Sequence, residues 1–141
     1  MKKIGRVTIF TFLAVLLFSC QSSESDQIEK AAYGYLDAVA NYDFDAAVPF
    51  VTPATDSITL DFFRKVLEHT DMDYVNSNKP ATIQIKSLKK TADDTAMVFF
   101  HKTTPITEQD DTIRVVRTGG QWLIEINPFF LLMLNGANAE E

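Results

Sequence analysis

The stretch Thr112–Ile126, TIRVVRTGGQWLIEI, decides the fold. Two runs of alternating polarity flank Gly119-Gly120. Glycine reaches positive φ without a steric penalty, and two such residues between strands make the tight hairpin turn whose twist suits its flanks. Strands over Thr112–Thr118 and Gln121–Ile126 follow. Side chains alternate with period 2, so the register can be written down. Arg117 faces Trp122, Val115 faces Ile124 and Ile113 faces Ile126. This face is apolar and is closed by an arginine placed to stack on the indole. On the other face Val116 meets Leu123, and Arg114 meets Glu125 as a cross-strand ion pair. A slip of one residue scatters the apolar row.

The same period extends upstream. Thr82–Lys86 alternates, with Ile83 and Ile85 on one face, and Ala92-Asp93-Asp94 is a turn. Thr95–Lys102 sets Ala96, Val98 and Phe100 against Met97, Phe99 and His101. Both faces are apolar, which predicts a central strand or one covered on both sides. Thr103–Asp111, containing Pro105, reads as a longer connection, and Pro128 ends the last strand.

Before residue 80 the period is 3.6. Asp26 with Glu29 has the spacing of a capping box, and Ile28, Ala31, Ala32, Tyr35, Leu36 and Val39 recur as one helical face up to about Asn41. Asp43 caps a shorter helix with Phe44, Ala47 and Val48 on its apolar side, ended or kinked by Pro49. Thr52–Thr55 reads as a loop. A third helix spans about Ile58–His69, with Phe62, Phe63, Val66 and Leu67 as its buried stripe. Thr70–Pro80 reads as a crossing loop. Helices followed by strands give an α+β class: three N-terminal helices on a curved antiparallel sheet of four or more strands.

The chain has 141 residues, which suits one domain, and its 11 Phe supply a core without metal or disulfide. Cys20 is the one cysteine, so no disulfide forms within the chain. It ends an N-terminal segment of distinctive layout. Met1–Arg6 is basic and Val7–Phe18 is uncharged and mostly apolar, too short for the about 20 residues that span a bilayer. That is the layout of a secretory signal over residues 1–19. Cys20 with QSSESD behind it forms an acidic, apolar-free linker over residues 20–26. The domain then covers 27–134, and 135–141 is a frayed tail. The formal charge is −6. Removal of residues 1–19 takes away Lys2, Lys3 and Arg6 and leaves 10 Lys and Arg against 19 Asp and Glu, or −9. Such a domain repels nucleic acid and anionic headgroups.

Two resemblances follow from these residues. Leu17-Phe18-Ser19-Cys20 resembles the lipobox of bacterial lipoproteins, although Phe18 is bulkier than the common residue there. This resemblance implies that Cys20 carries a diacylglycerol and that its freed amine is acylated, palmitate being one such chain. One acyl chain anchors marginally, at roughly 10⁴ M⁻¹, and two or three hold firmly. Gln21 in place of an inner-membrane retention Asp implies an outer-membrane address in the cell envelope, facing the periplasm or the surface. Second, Tyr35–Phe50 (YLDAVANYDFDAAVPF) and Thr112–Ile126 resemble the opening helices and last hairpin of nuclear-transport-factor-2-like (NTF2-like, cystatin-like or SnoaL-like) domains. With the lipobox, the chain is similar to the small lipoproteins grouped as domain-of-unknown-function 4878. The resemblance covers about residues 27–128. It implies a cone with a central cavity, and a superfamily that holds ketosteroid isomerases, dehydratases and many non-catalytic binding modules.

Chemistry in such a cone needs an ionisable group within apolar walls. Tyr35, on the apolar stripe of the first helix, and His101, sharing a face with Phe99 and Met97, are the candidates. Phe63, Phe100 and Trp122 join Tyr35 as cavity candidates. Tyr33 is off the stripe, Asp37 lies off the buried positions, and His69 suits a helix C-terminus. No metal-ligand spacing, phosphate loop or dinucleotide fingerprint is present, so no cofactor or metal is expected. Phe129–Leu134, six apolar residues in a row, has three readings: a segment folded over the cone, a homodimer contact alongside the sheet face, or a membrane contact. The favoured function is non-catalytic: a small apolar ligand in the cone, or a protein partner on the sheet. The alternatives are an isomerase or dehydratase of the ketosteroid-isomerase type, and a structural envelope subunit. Replacing Cys20→Ala tests the anchor: the chain should move from the detergent phase to the aqueous phase on partitioning, and unchanged partition refutes lipidation.

Overall fold

Ser23 starts the first helix, its hydroxyl accepting from the Asp26 N–H at 3.2 Å. The computed structural model describes residues 23–127. Cys20 and the segment before it, Phe129–Leu134 and the tail 135–141 lie outside the described residues. Helix α1 spans Glu24–Ala40. The cap is therefore Ser23 rather than Asp26, and Glu24–Asp26 belong to the helix instead of the linker. Serine caps as well as aspartate, and Glu24 and Asp26 then sit in the first turn, where negative charge opposes the helix dipole. Ile28, Ala31, Ala32, Tyr35, Leu36 and Ala38 form the buried face.

The end of α1 is a tight knot. Tyr42 has φ of +62°. Its N–H bonds to Val39 O at 3.1 Å, and the Asp43 N–H bonds to Ala38 O at 2.9 Å. This is a Schellman cap with tyrosine where glycine is usual, a conformation costing about 1–2 kcal/mol. Beside it Asn41 Nδ2 donates to Asp37 O (2.9 Å) and to Ala81 O (3.2 Å), while Asn41 Oδ1 accepts from the Ala81 N–H (2.9 Å). The amide thus pairs with the main chain of residue 81 as a neighbouring strand would.

Helix α2, Phe44–Ala47, is capped by Asp43 as expected, Oδ1 accepting from the Ala46 N–H at 3.1 Å. It tightens into a 3₁₀ turn at Val48–Phe50, where Pro49 sits, and Val48 is exposed rather than buried. Gly34 makes room for this turn, since a Cβ there would collide with the Phe50 ring. The loop expected at Thr52–Thr55 is instead a helix start: Thr52 caps α3, Pro53–Thr55, and Pro53 occupies the first turn, where its missing N–H costs nothing. A π turn, Asp56–Leu60, leads into α4, Asp61–Glu68. No residue of α4 is fully buried, against the expected stripe: Phe62, Phe63 and Leu67 are half-buried and Val66 is 47% exposed. A short helix α5, Met72–Ser77, capped by Asp71, replaces the expected loop. It buries Val75 alone, too little to show a period.

Four strands follow, β1 Thr82–Ala92, β2 Thr95–Thr103, β3 Glu108–Thr118 and β4 Gln121–Ile124, antiparallel in the order β1-β2-β3-β4. Gly119 and Gly120 take φ of +59° and +79°, and the hairpin register pairs Arg117 with Trp122, Val116 with Leu123 and Val115 with Ile124. Several strand limits differ from expectation: β1 runs on to Ala92 instead of ending at Lys86, and β2 ends one residue later, at Thr103. Strand β3 begins at Glu108, not Thr112, because Thr104 closes a tight turn, accepting from the N–H groups of Ile106 (3.3 Å) and Thr107 (3.0 Å). Strand β4 stops at Ile124 because the helix entry takes its next groups. The Thr52 N–H bonds to Ile124 O at 3.0 Å, and the Ile126 N–H bonds to Thr55 Oγ1 at 3.1 Å. Ile113, which pairs with Val98 of β2, and Ile126 therefore pack against the core without pairing with each other.

Strand β2 is central but covered on one face. Ala96, Val98 and Phe100 point into the core formed with α1, while Phe99 on the other face is 41% exposed. At the Ala96 end the concave side is closed. Lys90 and Ala96 are paired neighbours, as are Ala96 and Val115, and Val115 and Ile124. Across the small Ala96, Lys90 Nζ reaches to 5.9 Å from the Trp122 ring and bonds Glu24 of α1 at 2.9 Å. The cation over the indole is thus Lys90 from the opposite edge strand, not the cross-strand neighbour Arg117. Arg114 and Glu125 do pair, at 3.5 Å, on the exposed face.

Thr59, in the π turn, is fully buried, and its hydroxyl has no hydrogen-bond partner among the described residues. Replacing Thr59→Val keeps the shape and removes the unpaired group. The variant should be more stable by about 1 kcal/mol in chemical denaturation. A destabilised variant would show that the hydroxyl is satisfied.

Candidate ligand cavity

The apolar stripe of α4 does not reach the sheet. Beneath it lies a cavity of about 240 Å³. Val39 and Ala40 from the end of α1, Tyr42 and Phe44 from the following knot, and Phe63, Val66 and Leu67 from α4 make its apolar walls. Thr70, Asn78, Lys102 and Thr104 supply its polar rim. The half-burial of Phe63 and Leu67 follows from this: they touch the core on one side and line the space on the other.

Each wall is fixed locally. Phe44 stacks between Tyr42 (centroids 6.5 Å, 73°) and Phe63 (5.7 Å). Asn78 is buried and its Nδ2 donates to Tyr74 O at 2.9 Å, while Thr70 Oγ1 donates to Val66 O at 2.7 Å. Lys79 Nζ stands 5.7 Å from the Tyr42 ring centroid. Burial, then the neighbouring Tyr74, pushes the Tyr42 hydroxyl above its ordinary pKa. Lys102 continues the inward row Ala96, Val98, Phe100, two residues beyond its last apolar member. Arg64 holds α4 towards α2 through Asp45 (3.1 Å) and its own π turn through Asp56 (3.5 Å), exposed pairs worth little. A larger, shallow hollow of about 560 Å³ lies on the solvent side of α1 beside Lys30, Tyr33, Asp37 and Asp43. It has a charged rim and no connection with the inward row of β2.

Of the sequence candidates, Phe63 lines the cavity. Tyr35, Phe100 and Trp122 belong to the core cluster. Tyr35 is 4% exposed, and burial drives its hydroxyl pKa far up, so it stays neutral. His101 is on the outer face of β2, where Nδ1 lies 2.7 Å from Asp110 Oδ1, its partner across the strands. Tyr35 and His101 are therefore not brought together. His69, past the end of α4, holds Lys65 O at 2.9 Å through Nδ1. Tyr42, Asn78 and Lys102 were missed from sequence. Lys102 carried a signal, since strand alternation places it on the inward face. No group of three or more His, Cys, Asp or Glu among the described residues is placed to hold a metal. No helix among them is long and apolar enough to cross a membrane.

No protein-family model and no curated protein matches the chain. Solved structures do. A candidate NTF2-like transpeptidase of Campylobacter jejuni superposes with a TM-score of 0.52 at 13% identity, over 70% of this chain and 97% of that one. The fold is NTF2-like. An NTF2-like protein of unknown function from Shewanella oneidensis aligns with a TM-score of 0.53 at 18% identity, over 72% of this chain and 94% of its own. At these identities the NTF2-like likeness is one of fold. The cavity and its rim are read from the chain itself.

Tyr35 gives the NTF2-like core a pH dependence. In the unfolded chain its hydroxyl ionises near about 10; in the folded chain it ionises only at higher pH. Above pH 10 unfolding therefore releases a proton, and stability falls as pH rises. Replacing Tyr35→Phe should leave stability near neutral pH within about 1 kcal/mol of wild type and flatten the alkaline fall. An equally steep fall in the variant would assign the effect to other groups.

Proposed function

We propose that this is a lipid-anchored cell-envelope protein whose NTF2-like domain binds a small, mainly apolar molecule in the cavity beneath α4. The observation that carries the reading is the cavity's wall: seven apolar or aromatic side chains and no carboxylate or histidine. Two further features support the address. Leu17–Cys20 resembles a lipobox, and the domain behind it has too much negative charge to adhere to an anionic surface by itself. The combination of a lipobox with an NTF2-like fold is similar to the lipoprotein group named above.

A ketosteroid-isomerase-type activity needs an acid or base beside bound substrate. Tyr35 is enclosed in the core and His101 lies beyond the sheet, so neither is at this cavity. A partner or second copy on the outer sheet face has Phe99 in its favour. That ring is bordered by Lys86, Asp110 and Asp111, which leaves a small apolar area for docking.

The test uses the full chain held in lipid nanodiscs with labelled Val and Leu methyls. Titrated 1-octanol should shift the methyl signals of Val39, Val66 and Leu67, and Ala40→Leu, which fills the cavity from α1, should abolish the shift while the protein remains folded. Absence of shifts at those three residues in the wild type overturns the proposal.

A further inference from the structure

We propose that the ligand of this cavity is an amphipathic acid, with an apolar body beneath α4 and a carboxylate held by Lys102. The inference rests on the cavity reading above and narrows it to a ligand class. It begins from the alternation of β2. Ala96, Val98 and Phe100 point inward and are buried. Lys102 is the next residue in that row, so its side chain leaves the strand on the core side and lines the cavity.

Six of the ten basic residues described, Lys102 among them, have no ion pair, and Lys102 is the one of these that lines the cavity. Lys65 pairs with Asp61, Lys90 with Glu24, Arg64 with Asp45 and Asp56, and Arg114 with Glu125. Lys102 has no ion-pair partner among the described residues, in a chain where acids outnumber bases 19 to 13. Its neighbours across the ladders are Ile83 and Gln109, neither of them acidic. Lys102 is half-buried as a residue, and an ammonium held beside apolar walls is answered by an anion that a ligand brings. Asn78 stands on the same rim, and its Nδ2 has a second N–H besides the one given to Tyr74 O that suits the remaining carboxylate oxygen.

The size of the cavity bounds the rest of the molecule. About 240 Å³ lies below the roughly 300–1,000 Å³ of sites for drug-sized compounds, so the apolar body is a short chain or a single ring. Phe44, Phe63 and Leu67 receive it. The competing account of Lys102 is that its stem covers apolar surface while its ammonium reaches water and takes no ligand.

Sodium octanoate and 1-octanol separate these accounts, because they share a chain and differ in head group. Both are titrated into the full chain in nanodiscs, read at the Val39, Val66 and Leu67 methyls. Octanoate should bind roughly tenfold more tightly than octanol, the difference a charge-assisted hydrogen bond supplies. Lys102→Met should bring the affinities for octanoate and octanol together, and Lys102→Arg should keep the preference. Equal affinity for the two ligands in the wild type, or a preference that survives Lys102→Met, overturns the role of Lys102 and leaves the cavity as an apolar site. No methyl shift with either ligand overturns both readings.

Discussion

Strand β2 has two hydrogen-bonded neighbours and one covered face, and this constraint organises the molecule. With period 2, its residues must sort onto two sides. Ala96, Val98 and Phe100 go to α1, and Phe99 and His101 go outward. Along the inner row the side chains grow from Ala96 to Phe100. At the small end Lys90 and Trp122 meet above the sheet and Glu24 closes over them. At the large end the row finishes in Lys102 and the space stays open. A cone with one closed and one open end follows from four alternate residues of a single strand.

Helix α1 packs on that row through a continuous buried face, and a few polar links fix its end and the shorter helices to the sheet. Asn41 binds both main-chain groups of Ala81 and so ties the end of α1 to the start of β1. Thr52 and Thr55, whose hydroxyls lie 2.9 Å apart, bind Ile124 and Ile126 and tie the α3 entry to β4. Each such bond contributes about 0.5–1.5 kcal/mol net, and a lost partner leaves a buried group unpaired at higher cost. The strained Tyr42 backbone is kept by the same arrangement. Its ring forms the cavity wall, and its position is dictated by Asn41 on one side and the Asp43 cap on the other.

Much of this was legible in the sequence. The Gly119-Gly120 hairpin, its register and the α+β order follow from glycine geometry and the change of period, both local properties. The Asp43 cap was legible for the same reason. What failed depended on three dimensions. The Phe62–Leu67 stripe has helical spacing, but spacing cannot say whether a core or a space lies opposite. Strand β4 ends early because Thr55, 71 residues away in sequence, takes the Ile126 N–H. Lys90 replaces Arg117 over Trp122 because the small Ala96 between them lets the lysine reach across the sheet, which a two-strand register does not show. Tyr35 fits the pattern of a cavity residue and of a core residue equally, and only packing against the sheet tells them apart.

The mismatch in length between β3 and β4 has a consequence for association. Strand β4 covers β3 only from Val115 to Thr118, so on that side Glu108–Arg114 has no partner strand among the described residues. An unpaired edge invites another chain to extend the sheet. This one displays Glu108, Asp110 and Asp111. Two copies meeting through the same edge would bring six carboxylates together, and like charges across a ladder repel. The free half of β3 guards itself against self-templating, and leaves the cone open without making the sheet adhesive.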